Sequence, residues 1–151
     1  MDYVILCIGN RYGGDDGIGP YIADQIKSEE SIDFAVLDCG TVPENFTSVV
    51  KRLSPKNLII VDAVEMNLDH GEIRIIPKGK IGVMHISTHG IPLSVLINYF
   101  EHYVKNIFII GIQPKTMFGE ISEEIKKSGN NLVEIVKSRK MKNIKNLFNS
   151  I

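Results

Sequence analysis

Several things are scarce in this chain of 151 residues. It has two cysteines, Cys7 and Cys39, too few for a disulfide framework or a four-ligand zinc site. No apolar run nears the roughly 20 residues a bilayer crossing needs. The opening MDYVILCIGN has neither a basic segment nor a small-residue cleavage site, so a soluble cytoplasmic protein without membrane insertion is expected. The formal net charge is only -1, which argues against a nucleic-acid binder. Charge is nevertheless uneven: residues 1–50 carry nine acids against two bases, and residues 126–151 seven bases against one acid. The basic tail KSRKMKNIKN reads as a solvated helix face rather than a nucleic-acid patch.

What is present is ordinary globular material, 44% apolar and 23% charged. With no repeat, linker or low-complexity tract, one domain over 1–151 is expected.

YVILCIGN (3–10), DFAVLDCG (33–40), NLIIVDAV (57–64) and NIFIIGIQP (106–114) are short and too continuously apolar for half-exposed strands, which suits a parallel sheet buried on both faces. Between them lie amphipathic stretches with helix-start signals. IGPYIADQIKS (18–28) spaces Ile18, Ile22 and Ile26 four apart, PENFTSVVKRL (43–53) opens on Pro43 with Glu44 in its first turn, and IPLSVLINYFEHY (91–103) has Pro92 near its start. GEIRIIP (71–77) reads as a shorter strand toward an edge, and 121–148 as a final helix, with a break expected at SGNN. The alternation predicts an α/β fold of three layers, a twisted, mostly parallel sheet with helices on both faces.

In such sheets ligands gather at the strands' carboxyl ends. Asp15 and Asp16 follow the first strand, Asp38 and Cys39 the second, Asp62 ends the third and Gln113 follows the last, so all are expected on one rim, joined by His89 in HISTHGIPL. IGNRYGGDDGIG is a glycine-rich turn after a strand, but it places two carboxylates where a dinucleotide's pyrophosphate would meet bare amides. Carboxylates within about 4 Å of a phosphate repel it, which removes a nucleotide-binding reading. Aspartates with a histidine suit a borderline divalent cation such as zinc, nickel or iron. Each residue also has a plainer use: Asp16 as a helix cap, Asp38 as a turn acceptor, His89 as a loop histidine. His70, His85 and His102 show no comparable placement. On the residues alone the reading stops at a cation or polar-ligand site.

The set of motifs resembles the maturation endopeptidases of NiFe hydrogenases. GNRYGGDDGIGP matches that family's GN-x(4)-DDG-x-GP opening. VLDCGTVPEN, LIIVDAV, GEIRIIP, STHGIPL and IIGIQP match its later segments in order, over about residues 3–136. The TH-x-x-PL form is nearest the branch that matures formate-hydrogenlyase-type hydrogenases. The resemblance implies an endopeptidase that removes a C-terminal extension from the large-subunit precursor after nickel insertion. The nickel is carried by the substrate, with no organic cofactor. By position it assigns Asp16, Asp62 and His89 to nickel contact and adds Asp38 as a further acid. Asp16 first and Asp38 second are the candidates for orienting or deprotonating a water. A non-catalytic assembly checkpoint that binds the nickel-loaded subunit is the alternative, a cysteine nucleophile at Cys39 is disfavoured, and a monomer is favoured.

Overall fold

The computed structural model describes residues 1–81, 87–88 and 91–147. Its strands are β1 (Tyr3–Ile8), β2 (Phe34–Gly40), β3 (Asn57–Ala63), β4 (Ile73–Ile75), β5 (Ser87–Thr88), β6 (Ile91–Pro92) and β7 (Asn106–Ile112). The helices are α1 (Ile18–Ile26), α2 (Thr47–Leu53), α3 (Leu93–Phe100) and α4 (Glu123–Lys137). Five strands form one sheet in the order β2-β1-β3-β7-β4. The first four are mutually parallel and β4 runs antiparallel to β7. β5 and β6 form a separate two-stranded ribbon.

The unbroken apolar runs are explained by burial on both faces. Along β1, Ile5 and Cys7 join Ile18, Ile22, Leu132 and Val136 beneath α1 and α4. Val4, Leu6 and Ile8 join Val50, Leu93, Leu96 and Phe100 beneath α2 and α3. A strand whose successive side chains enter two separate cores has no polar position to spare. Layering and mostly parallel pairing therefore match the α/β expectation.

Two expectations about the last helix fail. SGNN does not break α4, which runs through it from Glu123 to Lys137. Gly129 is needed there for contact, since a Cβ would come within 2.7 Å of the Ile18 side chain; the residue lets α4 lie close against α1. The helix then ends 11 residues before the expected 148. Arg139 takes φ 62°, in the left-handed region that stops a helix, and its guanidinium lies over the rings of Phe34 (4.5 Å) and Tyr3 (5.1 Å). Beyond it Met141 and Ile144 stay buried from a 3-10 turn and an extended segment. Ile75 N–H donates to the Lys145 carbonyl (2.8 Å) and Leu147 N–H to the Ile75 carbonyl (2.9 Å), so the chain's end covers the outer edge of β4.

Candidate functional site

The glycine-rich turn is shaped by close backbone approach. Gly9 has φ 150°, and a Cβ on it would sit 1.9 Å from the Asp16 carbonyl oxygen. At Gly19 a Cβ would meet the Ile8 carbonyl oxygen at 2.1 Å. The strand end, the 3-10 turn Gly14–Gly17 and the start of α1 are thus stacked backbone on backbone. This stacking, rather than a bound phosphate, accounts for the glycine spacing.

The adjacent aspartates of this turn have opposite duties. Asp15 is fully buried and accepts four hydrogen bonds: from the Lys115, Thr116 and Ser122 amides (2.8, 2.9 and 2.7 Å) and from the Ser122 hydroxyl (3.0 Å). Burial pushes its carboxyl up, but these bonds outweigh that and hold it below the usual carboxylate range. Asp15 therefore clamps the loop after β7 onto the first loop.

Asp16 accepts the Asn10 amide at 3.0 Å, and its 3-10 turn packs on β3. It stands close enough to Asp62 that its negative charge acts on that residue. Asp62, at the end of β3, is 6% exposed, and its Oδ1 is buried without a hydrogen-bond partner among the described residues. Burial first, and the Asp16 charge second, push its carboxyl well above the ordinary range, against a smaller opposing effect from the Ala63 amide. Two like charges with an unpartnered oxygen form an arrangement that a cation would relieve. No group of three or more histidine, cysteine, aspartate or glutamate side chains converges on a metal position among the described residues; for a cation the pair alone would be an incomplete set of ligands. His89 lies outside the described residues.

The remaining rim candidates are not drawn into this pair. Asp38 lies within β2, not after it, and Arg11 holds its carboxylate (2.5 Å) while bonding Asp24 twice (2.8 and 3.0 Å). Asp38 is in register with Cys7, and Cys7 with Val61, so two strand spacings, about 10 Å, separate it from the end of β3. By alternation it shares the α1 face with Val36, whereas Asp62 shares the opposite face with Ile60. Gln113 is a loop organiser: its Oε1 accepts the Met66 and Leu68 amides (2.7 and 3.3 Å) and its Nε2 donates to Glu65 (2.8 Å).

Cys39 is 2% exposed, and burial, with Asp38 nearby, pushes its thiol up to about 12. A thiol so placed is not an activated nucleophile. Cys39→Ala is expected to keep cleavage within about twofold, and iodoacetamide is expected to leave the native wild-type chain active; inactivation by alkylation at Cys39 would reverse this. Two features escaped the sequence reading. Arg11 stands in the loop of residues 9–13 with no spacing signal, and Glu44, read as a first-turn acid, buries its Oε2 without a partner among the described residues.

Comparison with known proteins agrees with this architecture. A family model described as hydrogenase maturation protease matches residues 20–139. The hydrogenase 3 maturation protease of Escherichia coli is 40% identical over 115 residues, covering 76% of this chain and 74% of its own. This chain belongs to the hydrogenase maturation protease family. Within that family, the solution structure of the endopeptidase HycI from Escherichia coli superposes with a TM-score of 0.89 at 31% identity, covering all of this chain and 99% of that one. The crystal structure of the NiFe hydrogenase maturation protease HycI from Thermococcus kodakarensis gives 0.82 at 32% identity, covering 91% and 90%. The chain is accordingly a peptidase, and the nucleotide-binding alternative is set aside. Among the described residues, no helix is long and apolar enough to cross a membrane.

Proposed function

We propose that this peptidase removes a C-terminal extension from the nickel-loaded large-subunit precursor of a NiFe hydrogenase, acting as a monomer in the cytoplasm. The observation that carries the reading is the buried Asp16–Asp62 pair, with an unpartnered carboxylate oxygen at the carboxyl end of the sheet. Nickel belongs to the substrate in this reading, and the pair, with His89, tests whether it has been inserted. A ligand set that is incomplete by itself suits reading an ion already held by another protein. Asp16 is the first candidate to orient or deprotonate the attacking water. Asp38 ranks lower, because Arg11 already occupies its carboxylate. Water adds to the scissile carbonyl, the substrate's nickel polarises that carbonyl, and the departing amine takes up a proton.

The test is intact-mass analysis of a purified large-subunit precursor, prepared with and without nickel and incubated with the chain. Loss of a C-terminal peptide from the loaded form alone is expected. A stable complex with unchanged mass would instead favour a binding checkpoint.

A further inference from the structure

A sheet has two edges, and here they are treated differently. The β4 edge is taken by residues 145–147. On β2, the near half of the edge is also closed: Ser31 and Phe34 exchange backbone hydrogen bonds, and Val36 N–H donates to the Glu30 side chain at 3.2 Å. Phe34 and Val36 therefore turn their amides away from β1, and by the two-residue alternation of a strand so does Asp38. The Asp38 N–H and carbonyl have no hydrogen-bond partner on that side among the described residues. Beyond Asp38 the register with β1 shifts: Gly40 N–H reaches the Asp38 carboxylate and its carbonyl turns back to accept from Gly9 on the β1 side, so the outward row of backbone groups ends at Asp38.

This short open edge lies at the carboxyl end of the sheet, where Asp16 and Asp62 also sit. Beside it opens a cavity of about 410 Å³ lined by Gly9, Arg11, Tyr12, Asp38, Val42 and Phe46. Tyr12 is 90% exposed and Val42 41%, so its mouth is flanked by apolar side chains facing solvent. An open strand edge next to a pocket is the arrangement by which sheets recruit extended peptides, with backbone bonds giving affinity and the pocket giving selectivity.

We propose that an extended stretch of the large-subunit precursor adds to β2 at Asp38 and lowers one apolar side chain into the cavity between Tyr12, Val42 and Phe46. The proposal rests on the proteolytic reading above and adds a docking surface to it. Its geometry sets a constraint on the substrate. An added strand lies three strand spacings, about 14 Å, from β3, and extended chain covers at most about 3.6 Å per residue. The docking stretch must then be at least about four residues from the residue that holds the metal at Asp62. A second copy of this chain fits the edge poorly, because symmetric antiparallel pairing centred on Asp38 would set Asp38 against Asp38.

The experiment compares Asp38→Pro with Asp38→Asn by interferometry on immobilised nickel-loaded precursor, following precursor mass in parallel. Both remove the carboxylate, but only proline removes the outward N–H, which an edge position otherwise tolerates. The proline variant is expected to bind at least about 10-fold more weakly than the asparagine variant. Because proline can also strain the strand, the wild-type chain is pulse-labelled with deuterium during the first turnover. The Asp38 amide is expected to slow, while the already bonded Val36 amide stays unchanged. Equal affinities of the two variants, with no slowing at Asp38, would overturn the proposal. So would a solution dimer that Asp38→Pro disperses without changing precursor affinity. Binding of precursor without mass loss would strike at the cleavage reading alone. A wild-type chain that neither binds nor cuts would remove both.

Discussion

Asp15→Ala is expected to lose about 3–5 kcal/mol of stability, a large part of the 5–15 kcal/mol that holds a domain of this size together. Four hydrogen bonds to one fully buried carboxylate disappear, and alanine leaves the Lys115, Thr116 and Ser122 amides with no acceptor in their place. Asp15→Asn keeps the size but loses the charge and one oxygen's acceptor capacity, so an intermediate loss is expected. The sign with pH follows from a carboxyl held below its unfolded value of about 3.9. The contribution is complete above that value and fades as pH falls through the lower folded value. Urea melts between pH 3 and pH 7 should show a wild-type profile steeper on the acid side than that of Asp15→Ala. Coincident profiles, or a loss below about 1 kcal/mol, would show that Asp15 is not the clamp described.

Asp62→Asn is expected to move activity and stability in opposite directions. On the proposed reading, cleavage of nickel-loaded precursor should fall at least about 100-fold, because a neutral amide oxygen is a weaker ligand than a carboxylate and does not balance the cation's charge. The free chain should become more stable by about 1–3 kcal/mol, since the substitution removes a buried carboxylate beside Asp16 and its amide can donate toward that neighbour. For a chain of this length each kcal/mol corresponds to roughly 2–4 °C in Tm. A carboxyl with a raised folded pKa costs stability as pH climbs past its unfolded value, so the gain over wild type should grow from acid toward neutral pH. Thermal melts across that range, with intact-mass assays on the same samples, check both halves. A variant that is less stable than wild type at every pH would show that the Asp62 charge is already well accommodated before substrate arrives.

How far the fold was legible depended on how local its causes are. β1, β3 and β7 announce themselves because burial on both faces leaves nothing but apolar residues in a row; Pro92 does mark the start of α3, whereas Pro43 opens a 3-10 turn, Pro43–Phe46, that leads into α2 at Thr47. The end of α4 was not legible. Met141 and Ile144 continue the apolar rhythm of Leu132, Val133 and Val136, yet they enter the core from a 3-10 turn and an extended segment, and the left-handed stop falls on Arg139, where no glycine signals it. The site shows the same division. Asp62 was conspicuous as a charge closing an apolar strand. Asp15 and Asp16 could not be told apart by any local pattern, because what separates them is a loop about 100 residues away. Asp38 and Gln113 were expected on the rim, and only Gln113 follows its strand, but their partners, Arg11 and the Met66–Leu68 backbone, follow from tertiary geometry alone.

The clamp at Asp15 also bears on the order of events during synthesis. The first loop, with Asp16, leaves the ribosome early, but the amides that fix it belong to Lys115, Thr116 and Ser122, and the strand that flanks β3, β7, is also made late. Contacts so distant along the chain cannot form until translation is nearly complete. On the proposed reading, the site around Asp16 is thus withheld from the nascent chain and takes shape only with its last quarter.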